Sequence, residues 1–197
     1  MCDAAFGKVF KAVKIEKAAA AEAGSGFTKE LGAEANTLNA ELPEIHLGTM
    51  EYVAKPSKQG RIYETKVQEL YKHERKADTN YGVELHGNKL KGRADWAFKS
   101  AGDVDIAIEA KYIKDWNKSV YNPARVKDKP YLQANHEKVL LQARKYQNTL
   151  DFQEVVYHTN SYEFANHYST IFTQEGITKI KFVISPVEIK KKIGGNL

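Results

Sequence analysis

Gly92-Arg93-Ala94-Asp95-Trp96-Ala97-Phe98 and Asp105-Ile106-Ala107-Ile108-Glu109-Ala110-Lys111-Tyr112 are the two stretches on which the reading of this chain turns. Both are β-forming, and the turn residues Gly102-Asp103 separate them. Side chains two apart on a strand share a face, so Glu109 and Lys111 point the same way. Asp95, on the preceding strand, can reach the same spot. Two carboxylates and the Ala110 carbonyl make a hard oxygen site suited to Mg²⁺ or Mn²⁺. Such an ion activates water and screens charge on a phosphodiester, while a lysine beside it steadies the attacking water and the transition state. The plain alternative is an acid and a base on the solvent face of an edge strand. The apolar run that carries this pair argues against it.

On the N-terminal side, residues 81–85 and 90–98 read as strands joined by His86-Gly87-Asn88, a hairpin signal. A helix is predicted over 61–75, with Ile62, Val67, Leu70 and Tyr71 recurring on one face. After the strand 104–112 come a proline-bearing loop at 121–130, a helix over 132–148, a strand at 153–158, a helix at 162–174 and a strand at 180–184. This order predicts an α/β (α+β) fold, a mixed sheet flanked by helices. The first 42 residues read as an N-terminal helical extension or linker, with helices at 4–23 and 28–38 around Gly24-Ser25-Gly26. Residues 43–197 form the main domain.

On the helix over 132–148, Gln142 and Tyr146 stand four apart and share a face, where an amide and a phenol can orient Lys111, water or a phosphate. Residues 114–145 carry eight basic against three acidic side chains, the same excess of +5 as the whole 197-residue chain. Lys114, Lys118, Arg125, Lys127, Lys129, Arg144 and Lys145, with Tyr146 and the interleaved Trp116, Tyr121 and Tyr131, read as a surface for a nucleic-acid backbone. The alternative is an idle basic loop and helix. The Lys190-Lys191-Lys192 tail reads as solvated.

Cys2 is the only cysteine, so an internal disulfide and a cysteine zinc cage are both excluded. No apolar run approaches the roughly 18 residues that span a bilayer, and residues 14–24 are too charged for a signal-peptide core. These features point to an aqueous compartment. The histidines lack zinc-hydrolase spacing, and neither a P-loop nor a G-x-S-x-G elbow occurs. His158 and Asn160, at a strand end, are either site-lining or an ordinary turn pair.

Asp95, Glu109-Ala110-Lys111 and the Gln142-to-Tyr146 element resemble the three signature elements of the PD-(D/E)xK, restriction-endonuclease-like nuclease superfamily. Residues 92–186 are more narrowly similar to the restriction-endonuclease-fold toxin domains of bacterial polymorphic toxins, through Arg93-Ala94-Asp95, residues 108–113, 154–160, 164–166 and 180–186. Ala94 stands where the family pattern has proline, and residues 1–42 fall outside the pattern. The resemblance implies divalent-metal-dependent cleavage of DNA or RNA, DNA favoured, in a competing cell after delivery by a toxin system. It also implies a cognate immunity protein. Asp95 and Glu109 would bind the metal, with the Ala110 carbonyl; Lys111 would assist the nucleophile and Gln142 would orient. Glu64 would aid the metal site from the preceding helix, or else serve only the helix dipole in a first turn. The alternatives left open are an RNase of the same fold, a restriction or repair nuclease acting in its own cell, and an inactive nucleic-acid-binding module.

Overall fold

A computed structural model describes residues 42–100, 102–125 and 129–190. The chain divides between Pro43 and Glu44, and the second unit contains every strand and helix of the described residues. The helices read at 4–23 and 28–38 lie outside the described residues.

The elements run β1 (Thr49–Glu51), α1 (Pro56–Leu70), β2 (Arg75–Lys76), β3 (Asn80–Leu85), β4 (Asn88–Arg93), β5 (Trp96–Lys99), β6 (Asp105–Lys111), α2 (Gln133–Asn148), β7 (Glu154–Thr159), α3 (Tyr162–Gln174), β8 (Ile180–Ile184) and β9 (Glu188–Lys190). Five strands form one mixed sheet in the order β2-β5-β6-β7-β8. β2, β5 and β6 pair antiparallel, whereas β6, β7 and β8 are parallel. Parallel neighbours need a crossover, and the helices α2 and α3 supply the two that are required here.

β6 is the third of the five strands and is covered on both faces, which is why its sequence is nearly continuously apolar rather than alternating. Ile106 and Ile108 pack with Val156 and Val183 against Tyr63, Val67 and Tyr71 of the α1 side. On the opposite face, Tyr157 of β7 meets Tyr146 of α2, Phe172 of α3 and Phe182 of β8 at ring separations of 5.5–6.3 Å. Glu109 pairs in register with Tyr157 and therefore belongs to this aromatic face.

Three sequence expectations change. The predicted helix over 61–75 starts at Pro56, a proline suited to the first turn, and ends at Leu70; Arg75 belongs to β2. Buried Gln59 anchors the start of α1, accepting from Val53 N at 2.5 Å and donating to Glu51 O at 3.0 Å. The single strand read over 90–98 is two strands, broken at Ala94-Asp95. The hairpin turn is the two-residue His86-Gly87, with φ of 50° and 75°, the left-handed pair of a type I′ turn. β1 and β9, unforeseen, pair in parallel. They continue an alignment begun where Ile45 N donates to Ile184 O at 2.8 Å and Leu47 N to Pro186 O at 3.0 Å. Lys190 lies in β9, and the rest of that tail is outside the described residues.

Candidate active site

The break between β4 and β5 fixes Asp95. The β5–β6 ladder ends at Trp96 opposite Ile108, and beyond it the Asp95 side chain replaces the strand: its Oδ2 accepts from Ala110 N at 2.9 Å. The carboxylate is thus pinned to the backbone between Glu109 and Lys111.

Glu109 has 1% of its side chain exposed, and both of its oxygens are engaged. Oε2 accepts from Lys111 Nζ at 2.9 Å, and Oε1 accepts from the Tyr146 hydroxyl. Burial pushes the Glu109 carboxyl up to about 7; Lys111 opposes this, nearby Asp95 adds to it, and the Tyr146 bond opposes it. Burial alone would lower Lys111, but Glu109 and Asp95 outweigh it and hold the ammonium above its ordinary value. Lys111 keeps 20% of its side chain exposed, against 1% for Glu109.

Glu64 stands in the third turn of α1, which begins at Pro56, so the first-turn dipole role is excluded. Its carboxyl is raised by burial and then by Asp95, while Lys111, Arg61 and Arg93 pull it down. It therefore shares the electrostatic field of the site. Gln68, one turn further, donates from one amide nitrogen to Glu64 Oε1 and Asp95 O, each at 3.2 Å. Nothing in the sequence singled out Gln68; with the α1 register known, its i+4 spacing from Glu64 would have found it.

Two more residues complete the surroundings. The Tyr157 hydroxyl is fully buried with no hydrogen-bond partner among the described residues. Burial raises its pKa strongly, and Glu109, Tyr81, Asp95 and Tyr121 follow as causes. Tyr81 of β3 lies against Tyr146 with ring centroids 4.9 Å apart and backs the residue that holds Glu109.

The remaining site candidates separate. Gln142 is half-buried on α2, one turn before Tyr146. Tyr146 has no exposed surface, which corrects its reading as a nucleic-acid contact: its hydroxyl serves Glu109. Arg144, on another face of α2, donates to Glu175 Oε2 at 3.0 and 2.7 Å. Lys118 pairs with Asp115 at 3.3 Å, Arg125 donates to Lys118 O, and Lys114 stands 5.2 Å above the Tyr52 ring. Lys129 is exposed, and Lys145 Nζ reaches Lys91 O at 3.3 Å. Lys127 lies outside the described residues. Trp116 and Tyr121 turn inward onto Phe164, whereas Tyr131 is 69% exposed.

His158 and Asn160 do not line the site. His158 is buried on the α1 face, with Nε2 2.6 Å from the Tyr71 hydroxyl and Nδ1 2.7 Å from Ser185 Oγ. Asn160 accepts from Ile113 N at 2.7 Å and donates to Ile113 O at 2.8 Å, clasping the chain just beyond β6.

Among the described residues, no three His, Cys, Asp or Glu side chains are gathered as a metal site of their own. Asp95 and Glu109, brought together at Ala110, offer two carboxylates beside the Ala110 carbonyl, all hard donors. This set fits a cation of the Mg²⁺ type that keeps part of its water shell. It does not fit a soft metal. No helix among the described residues is long and apolar enough to cross a membrane. Comparison with protein-family models, curated proteins and solved structures finds no match to this chain.

Proposed function

We propose that this chain is a divalent-metal-dependent nuclease of the restriction-endonuclease-like class that hydrolyses phosphodiester bonds, DNA being the favoured substrate. One observation carries the reading. A glutamate on a central strand is buried to 1% exposure between an ammonium and a phenol, while a second carboxylate is pinned to the adjoining amide. Burying an ion pair costs several kcal/mol in desolvation, and a fold gains little from doing so in its central strand. The antiparallel β5–β6 pair followed by the α2 crossover to parallel β7 is the strand arrangement that the class would need.

Asp95, Glu109 and the Ala110 carbonyl would hold the cation, which when bound would supply Lewis-acid stabilisation of the phosphoryl oxygens and acidify water. The chain's own groups supply the rest. Lys111, fixed by Glu109, offers its remaining N–H donors to the attacking water or to a phosphoryl oxygen as negative charge grows there. Tyr146 keeps one Glu109 oxygen occupied, so the carboxylate presents a defined edge. Gln68, held by Glu64, donates to the Asp95 backbone carbonyl and steadies the chain at that carboxylate. In the reaction a water oxygen bonds to phosphorus, the bond from phosphorus to one sugar oxygen breaks, and that oxygen takes up a proton.

The test is incubation of the purified chain with plasmid DNA and with total RNA, in Mg²⁺, in Mn²⁺ and in chelator. Metal-dependent loss of DNA is expected, with Asp95→Asn, Glu109→Gln and Lys111→Ala each reducing the rate at least a hundredfold. Cleavage of RNA alone would move the substrate to RNA, and full activity in Asp95→Asn would end the proposal. The further reading, a toxin neutralised by an immunity protein, rests on the family resemblance; growth arrest on expression in the cytoplasm of a bacterial host is its test.

A further inference from the structure

The β3–β4 hairpin has two unlike faces. Directly opposed residues on an antiparallel pair share a face, and the register sets Tyr81 opposite Gly92 and Val83 opposite Leu90. That face is buried through Tyr81 and Val83. The other carries Lys89, Lys91 and Arg93, opposite Glu84, Gly82 and Asn80. All three cations are exposed, and among the described residues none has a carboxylate within ion-pairing distance.

Same-face residues on a strand are about 6.8 Å apart, so the three charges form a straight row about 14 Å long. The row ends two residues from Asp95, and Arg93 already acts on Glu64. Lys145 adds a fourth cation, its Nζ 3.3 Å from Lys91 O. Opposite Lys91, Gly82 leaves open space: a side chain there would meet nothing within 4 Å. By contrast, Lys118 and Arg144 of the segment after Lys111 are committed to carboxylates.

The geometry points to the exposed face of β4, rather than the connection after Lys111, as the track along which the phosphates of a polynucleotide strand approach Asp95 and Glu109. This rests on the nuclease reading above and adds to it the surface that receives the backbone. Evenly spaced cations with no ion-pair partner among the described residues match the regular repeat of a polyanion better than a folded acidic protein. Each phosphate neutralised releases counterions, so binding through the row carries a salt dependence that counts its contacts.

The experiment measures fluorescence anisotropy of labelled 20-nucleotide single-stranded and duplex DNA with the full chain in chelator, across a KCl series. Relative to wild type, Lys89→Ala/Lys91→Ala is expected to weaken binding at least tenfold at the lowest salt. It should also flatten the slope of log K against log salt by about 1.4 to 1.8, two contacts' worth. Lys89→Arg/Lys91→Arg should restore both, and Lys114→Ala/Lys118→Ala should change neither. An unchanged slope in the β4 variant, loss only in the 114/118 variant, or no binding by wild type overturns the proposal. The two readings fail separately. Binding through β4 without metal-dependent cleavage removes the nuclease and keeps the track. Cleavage and binding indifferent to Lys89 and Lys91 remove the track and keep the nuclease.

Discussion

Gly92 shapes the surroundings of Glu109 by having no side chain. A Cβ at this position would lie 2.1 Å from Cζ of Tyr81, because the Tyr81 ring folds across the hairpin over Gly92 to lie against Tyr146. That ring is 4% exposed and is also packed edge-on to Phe152 at 5.6 Å, so it cannot swing aside cheaply. Gly92→Ala is expected to cost about 1–3 kcal/mol by overpacking, read as a lower urea midpoint. Cleavage should fall with it, as Tyr146 is pushed off Glu109. Tyr146→Phe isolates the hydroxyl: packing is kept, but the donor that favours the ionised carboxylate is lost. The Glu109 pKa should then rise further, and the acidic limb of the pH–rate profile should move to higher pH. A limb that stays in place would show that Tyr146 is packing alone.

Among the strands and their connections, the passage from β6 to α2 is held where it leaves the sheet by a single side chain. Asn160 gives both its oxygen and its nitrogen to the backbone of buried Ile113. Asn160→Ala leaves that N–H and C=O without partners, at about 1–3 kcal/mol for each buried group left unpaired. Hydrogen exchange over residues 112–125 should quicken, while β7 stays protected. The sequence made some elements legible and not others, for identifiable reasons. β6 and β8 show as apolar β-forming runs, and α3 is long enough for its helical period to be read. β1, β2 and β9 have two or three residues each, too few to show any period. The break at Ala94-Asp95 has no glycine or proline at it to announce it; it exists because Asp95 takes an amide from a residue fifteen positions along, on β6. Gln142 and Tyr146 were legible as one helix face, yet spacing cannot say that Tyr146 is turned to Glu109 and sealed while Gln142 stays half-buried. Charge density drew attention to residues 114–145, whereas only partners in space separate a committed cation such as Arg144 from an unneutralised one such as Lys91.

Across the fold, two buried titratable groups on opposite faces of the sheet pull stability in opposite directions over one pH range. His158, with no exposed surface, is lowered by burial from 6.5 to about 4. The unfolded chain binds its proton first, so its contribution is intact above pH 6.5 and is lost as pH falls toward 4. Glu109 is raised by burial from 4.5 to about 7. Here the folded chain holds the proton more tightly, so its contribution is intact below pH 4.5 and is lost as pH rises toward 7. Their slopes are therefore opposite in sign between pH 4.5 and 6.5. Single substitutions should unmask them. Relative to wild type, Glu109→Gln is expected to become progressively more stable as pH is raised from 4.5 to 7, and His158→Gln as pH is lowered from 6.5 to 4, in urea melts without divalent metal. Saturating Mg²⁺ should abolish the Glu109 slope, because a cation at the carboxylate competes with the proton and returns its pKa toward the ordinary range. A Glu109-linked slope unmoved by Mg²⁺ would mean that no cation binds at this carboxylate, and the proposed chemistry would lose its centre.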